Sequence, residues 1–313
     1  MPSDHLVDPE ILPLLDMMPP LLPTDETLAQ LRATLTAPRA DQPAPAFAPV
    51  AASAPGIDGA PDVPLLIFDP PGRTARAAIL QIHGGGMVLG SAAASSIPNA
   101  YMAAHLGVPV IAVDYRLAPE HPFPAPQMDC LAAYDWLVEH ADALNIDAAR
   151  IVIFGESAGG GLAAALALML RDLGQRSPAG QVLIFPMINH RTGTQKPGLP
   201  HTGDYIWTRE ANAYGWRALR GDYDPVDARA GWFSPALAQE LAGLPPTYIA
   251  VGALDLFLEE NLDYAKALAG AGVPIELHVY SGAFHAFHMV PSAAVSRTYH
   301  RDLYAGLGRL LGI

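Results

Sequence analysis

The chain has almost no cysteine. Cys130 is the single one in 313 residues, so no intrachain disulfide can form. The fold must then rest on a buried core, as suits a reducing, cytoplasmic compartment. Basic residues are also scarce: 18 Lys and Arg stand against 31 Asp and Glu, a formal net charge of −13. A phosphate backbone is repelled by such a field, so no nucleic-acid partner is expected, and the acidic excess reads as a solubility feature. Charge of either sign is thin, at 16% of residues against 51% hydrophobic, which excludes a wholly disordered chain and suffices for one large core. Met1–His5 lacks a basic region leading into an apolar stretch, so no secretory leader is expected. Long apolar runs are missing too. Ala158 to Leu170 is free of charge but only 13 positions long, with three glycines near its start. It is too short to cross a bilayer and reads as a buried helix, so no membrane span is expected. No pair of histidines has a zinc-ligand spacing with a third partner.

Proline and glycine are abundant, at 31 and 28 residues, but the proline excess is local. Residues 1–45 carry prolines at 2, 9, 13, 19, 20, 23, 38, 43 and 45, with apolar clusters between them. Thr24-Asp25-Glu26-Thr27 ahead of Leu28, Leu31 and Leu35 reads as a capped amphipathic helix. The segment is too apolar for a free tail, so 1–45 is expected to pack on the main domain, residues 46–313.

From about residue 63, short apolar runs alternate with helical stretches. Strands are expected at Leu65-Phe68, Ala78-Ile82, Val110-Val113, Ile151-Phe154, Val182-Phe185, Tyr248-Val251 and Ile275-Tyr280. Helices are expected near 98–107, 126–143, 158–173, 259–271 and 292–311. Strands apolar on both faces, alternating with helices, imply an α/β fold: a mainly parallel sheet reached by right-handed crossovers and covered on both sides. The stretch 189–232 breaks the rhythm. Its Tyr205, Trp207, Tyr214, Trp216 and Trp232 favour an ordered lid over a loose loop.

Chemistry concentrates at Gly155-Glu156-Ser157-Ala158-Gly159, a G-x-S-x-G elbow between a strand and a helix. The turn is so sharp that its flanks have little room for side chains, and Ser157 is presented at a helix N-terminus, where negative charge is favoured. His83-Gly84-Gly85-Gly86 follows the second expected strand. Its glycines let backbone N–H groups approach a developing oxyanion, and the N–H of Ala158 would complete that hole. No Lys-Ser/Thr follows, so the run is not a P-loop. His285 lies in the loop after the last strand, where catalytic groups collect in such sheets, with His288 its close competitor. Asp255, on the loop after Tyr248-Val251, is the expected orienter of His285. Glu259 and Glu260 fall later, on a helix, where first-turn acids ordinarily face solvent. A plain helix N-cap is the alternative role for Asp255.

The set His83-Gly84-Gly85-Gly86, then Asp114-Tyr115-Arg116-Leu117-Ala118-Pro119-Glu120-His121-Pro122-Phe123-Pro124-Ala125, then Gly155-Glu156-Ser157-Ala158-Gly159-Gly160, resembles the hormone-sensitive-lipase-like esterases, bacterial family IV of the α/β-hydrolases. The resemblance covers roughly residues 60 to 310. It implies an α/β-hydrolase core under a cap made of the N-terminal segment and the insertion after Phe185. It implies hydrolysis of a small-molecule carboxylic ester by Ser157, His285 and Asp255, oxyanion donors at Gly85, Gly86 and Ala158, and no metal or organic cofactor. Arg116 and Glu120 would hold the loop behind the site. Many relatives dimerise through an edge strand, so a homodimer is a partner the resemblance raises. Glu156 departs from the family, which usually carries Asp or Thr there. A peptidase or amidase could use the same groups. A ligand receptor is the other rival: the gibberellin receptors resemble this family but have lost the catalytic histidine, and this chain keeps one at the matching place.

Overall fold

A strand that is apolar on both faces needs a helix on each side of it, and the sheet here is built that way. The computed structural model describes residues 3–18, 21–36, 45–196 and 198–313. The strands are β1 (Val50–Ala54), β2 (Val63–Phe68), β3 (Ala78–Ile82), β4 (Val110–Val113), β5 (Ile151–Glu156), β6 (Gly180–Ile184), β7 (Thr247–Gly252) and β8 (Ile275–Tyr280). They form one sheet in the order β1-β2-β4-β3-β5-β6-β7-β8. β1 is antiparallel to β2 and β2 to β4, and the remaining pairs are parallel. The α/β class is as the alternation implied. β1 is the strand the sequence does not announce. Val50-Ala-Ala-Ser-Ala has weak β propensity, and only its pairing to β2, Val50 opposite Ile67, holds it.

The helices are α1 (Pro13–Met17), α2 (Leu28–Thr36), α3 (Ser96–Leu106), α4 (Ala125–Glu139), α5 (Ala158–Asp172), α6 (Arg209–Arg220), α7 (Ala230–Phe233), α8 (Leu258–Gly270) and α9 (Ala294–Leu311). Alternate residues of the strands fall into two cores. Ile79, Val152, Phe154 and Val182 pack with Ala100 and Ala103 of α3 and Leu303 and Leu307 of α9. Leu80, Ile82, Ile153 and Leu183 pack with Leu131 of α4, Leu162 and Leu166 of α5 and Leu268 of α8. Each buried Val, Leu, Ile or Phe among them contributes about 1.5–3 kcal/mol of burial. Ala158 to Leu170 is buried throughout, as the absence of charge foretold. No helix among the described residues is long and apolar enough to cross a membrane.

The N-terminal segment is fastened at both ends of its described length. Thr24 and Thr27 exchange backbone N–H to hydroxyl bonds of 2.9 and 3.2 Å and so open α2 as a cap should. The Leu21 N–H donates to Ile206 O at 3.1 Å, and Ser3 Oγ donates to Asp204 at 2.6 Å. Pro2, Pro19, Pro20, Pro38 and Pro43 lie outside the described residues.

Candidate active site

The turn from β5 to α5 puts Ser157 at φ 56° and ψ −120°, a conformation that a side chain adopts only when its surroundings impose it. Space explains the glycines on either side. A Cβ on Gly155 would stand 2.1 Å from Gly159 O, and one on Gly159 would stand 2.1 Å from Ile82 O. The serine is fixed by its own main chain: its N–H donates to Ile184 O, and its carbonyl accepts from Gly161 and Met187.

β7 and β8 deliver the other two groups. Ala253 N–H donates to Tyr280 O and Leu254 N–H to Ala283 O, so the two loops are tied together. A Cβ on Gly252 would meet Ala283 O at 2.3 Å. In that frame His285 Nδ1 lies 2.8 Å from Asp255 Oδ2, and His285 Nε2 lies 3.0 Å from Ser157 Oγ. Asp255 is fully buried, while Ser157 and His285 keep 7% and 6% exposure. Phe185 and Phe257 stand edge-on to the imidazole at 4.6 and 5.4 Å, excluding water from its flanks. Asp255 is not the N-cap of α8, which is Phe257 without a side-chain cap bond; its Oδ1 instead accepts the Phe257 N–H at 2.9 Å in the turn before that helix.

Gly85 and Gly86 have φ of 118° and 61°, positions that a residue with a Cβ would strain to adopt. Among the described residues their N–H groups donate to no backbone oxygen. Ala158 opens α5, so its N–H has no acceptor within the helix. The loop is roofed. A Cβ on Gly86 would lie 2.2 Å from the Trp207 ring, and one on Gly215 of α6 would lie 2.7 Å from Gly86 O. Behind it His83, buried, stacks on Tyr115 at 4.2 Å.

Sequence reasoning named Arg116, Glu120 and Glu260 but not their partners. Arg116 pairs bidentately with Asp129 of α4, at 2.7 and 2.9 Å. Glu120 binds Arg32 of α2 at 2.7 Å, and Arg32 also donates to Val88 O and Ala118 O. The N-terminal helix is thereby clipped to the glycine-rich loop. Glu260 does not face solvent, as first-turn acids usually do. It is 4% exposed, and its Oε1 accepts the N–H groups of Ile188 and Asn189 at 2.7 and 3.2 Å. Burial pushes its carboxyl up to about 8. Asn261 Nδ2 donates to Pro186 O at 2.8 Å, so adjacent residues of α8 hold the exit of β6 against the serine. His288, the competing histidine, is turned away from Asp255 toward Glu156, with Nε2 3.7 Å from its Oε1. No group of three or more His, Cys, Asp or Glu side chains suited to a metal ion occurs among the described residues.

Comparison with known proteins follows the same outline. A family profile described as alpha/beta hydrolase fold matches residues 79–289. Carboxylic ester hydrolase LipN of Mycobacterium tuberculosis is 35% identical over 241 residues, 75% of this chain and 63% of that one. Esterase LipI of the same organism is 35% identical over 287 residues, 90% of this chain and 88% of its own. Among solved structures, a bacterial heroin esterase superposes with a TM-score of 0.86 at 35% identity, covering 98% of both chains.

Proposed function

The chain belongs to this α/β-hydrolase family, matched from residue 79 to 289, and from that premise we propose that it is a serine carboxylesterase acting on short- to medium-chain esters. The observation that carries the reading is the continuous hydrogen-bonded line from Asp255 through His285 to Ser157. His285 takes the Ser157 proton as Oγ attacks the ester carbonyl. The oxyanion is received by the N–H groups of Gly85, Gly86 and Ala158. The imidazolium returns its proton to the leaving alcohol, then His285 activates water to release the acid. Asp255 holds the tautomer with Nδ1 protonated and balances the imidazolium charge. Every step uses groups of this chain, without a metal or organic cofactor.

The substrate range follows from the roof. With Trp207 over Gly86 and the serine only 7% exposed, a small acyl group fits more readily than a long one. The N-terminal segment and the insertion at about 189–232 serve as the cap. A homodimer through β8, whose Leu277 and Val279 are exposed at the sheet edge, belongs to the same proposal, as does a cytoplasmic setting for the one buried thiol, Cys130. The test is turnover of chromogenic esters of graded acyl length by purified protein. Acetate to hexanoate esters should be hydrolysed well and palmitate poorly. Tight binding of esters without turnover would instead favour a receptor.

A further inference from the structure

Glu156 is a second carboxylate at the nucleophile, and the reaction as drawn gives it nothing to do. It ends β5, next to Ser157, and is partly buried on the face of the sheet covered by α3 and α9. The groups around it come from three places. His288, on the turn Phe287–Met289, faces its Oε1 at 3.7 Å. Tyr299, His300 and Tyr304 of α9 feel its charge, as does His285 from the loop after β8. Phe185 ties the two histidines together, with its ring 4.6 Å from His285 and 5.6 Å from His288.

We propose that ionised Glu156 is an electrostatic positioning residue for His285, which supplements Asp255 by stabilising the imidazolium that forms as Ser157 attacks. The inference rests on the serine-hydrolase reading above. Asp255 holds the ring from its Nδ1 side, in a fully buried setting. Glu156 adds negative charge from the end of β5, the residue before Ser157, and the reaction needs it only while His285 carries the proton. His288 does not compete for that role. Burial first, and the charge of His285 second, push it down to about 4, so it stays neutral at physiological pH. His300 is likewise lowered by burial. Tyr299 and Tyr304 are raised by burial and stay protonated. Glu156 itself is pushed up to about 7 by burial, with His300 and His285 opposing the push. Its contribution therefore switches on as pH rises through the neutral range.

The switch separates this role from a merely structural one. The rate of Ser157 modification by a small fluorophosphonate is measured from pH 5.5 to 8.5 in wild type, Glu156→Gln and Glu156→Asp. In that reaction Ser157 Oγ displaces fluoride at phosphorus and His285 takes the hydroxyl proton. A neutral glutamate and a glutamine are alike, so the wild-type to Gln ratio should be near one at low pH. It should climb through about pH 7 to roughly tenfold, the size of an interaction between partly screened charges. His285 is common to both proteins and largely divides out. Glu156→Asp restores the charge and should restore the rise, with a different midpoint. A ratio that is flat with pH, in folded protein that is labelled at Ser157, overturns the proposal alone. Label that stays equal in Ser157→Ala, or wild type that takes up none, overturns the serine-hydrolase reading and this inference with it.

Discussion

Asp255 divides its two oxygens between two tasks, and the division explains why a neighbour could not replace it. Oδ2 meets His285 while Oδ1 receives the Phe257 N–H, so the carboxylate is held by the following turn as it meets the ring. Asp255→Asn keeps the size but offers the ring the wrong hydrogen-bond partner. Turnover should fall by roughly a thousandfold or more. Glu259→Gln should leave it near wild type in the same ester assay. Glu260 tests a different matter. Its Glu260→Ala variant would leave two buried N–H groups unmatched and should cost about 1–3 kcal/mol in urea denaturation. The two glutamates with raised carboxyls, Glu156 and Glu260, also set a pH dependence. Their folded carboxyls are raised from 4.5, to about 7 for Glu156 and about 8 for Glu260. The folded state then holds protons that the unfolded chain releases. Their contribution to stability is full below about pH 4.5 and is lost as pH rises through 7 to 8. Melting temperature should decline across that window, and less steeply in Glu260→Gln. An equal slope in both proteins would contradict the assignment. The sequence named Ser157, His285 and Asp255 because a motif, a chain order and a loop position converge on each. It did not reveal Glu260, since a first-turn acid looks alike whether it faces solvent or a buried turn.

At the scale of elements, the strands that build the site were legible because their apolar runs are bounded by glycine and proline. α6 was not assigned, although its signals were present. Thr208 caps it by accepting the Ala211 N–H, and the buried Ala211, Tyr214, Gly215, Ala218 and Leu219 recur at helical spacing. Gly215 and the aromatic density around it hid the pattern. That glycine has a reason. Without a Cβ, α6 lies directly on Gly86 O, 2.7 Å from where the Cβ would be. Gly215→Ala should gain helix propensity yet push α6 off the loop that carries Gly85 and Gly86. We expect kcat to fall about tenfold, equivalent to ~1.4 kcal/mol of transition-state stabilisation, with folding retained by circular dichroism. Unchanged kcat would show that the contact has slack. β1 escaped notice for the opposite reason, since an alanine-rich edge strand owes its form to pairing that no local pattern encodes.

The whole molecule gathers what the chain scatters. Ser157 and His285 lie 128 positions apart and Asp255 and His285 30 apart, and the parallel sheet brings them to one edge. The N-terminal segment is tied to the rest of the fold through Leu21 on Ile206 and Arg32 on Val88, Ala118 and Glu120. Removing residues 1–36 should bare apolar surface, raise KM and promote aggregation, measured by kinetics and light scattering. Unchanged kinetics and solubility would make the segment a passive tail. Composition alone foretold enough apolar residues for a large buried interior, which the sheet divides into two cores. It was silent on how the N-terminal segment docks, because that depends on Ser3, Leu21 and Arg32 reaching groups far along the chain. The central claim, that this assembly works through a serine nucleophile, is tested most directly by comparing Ser157→Ala with wild type on p-nitrophenyl acetate, each shown folded by its melting curve. The account predicts a loss of roughly three orders of magnitude or more. Retention of a tenth of wild-type turnover would contradict it.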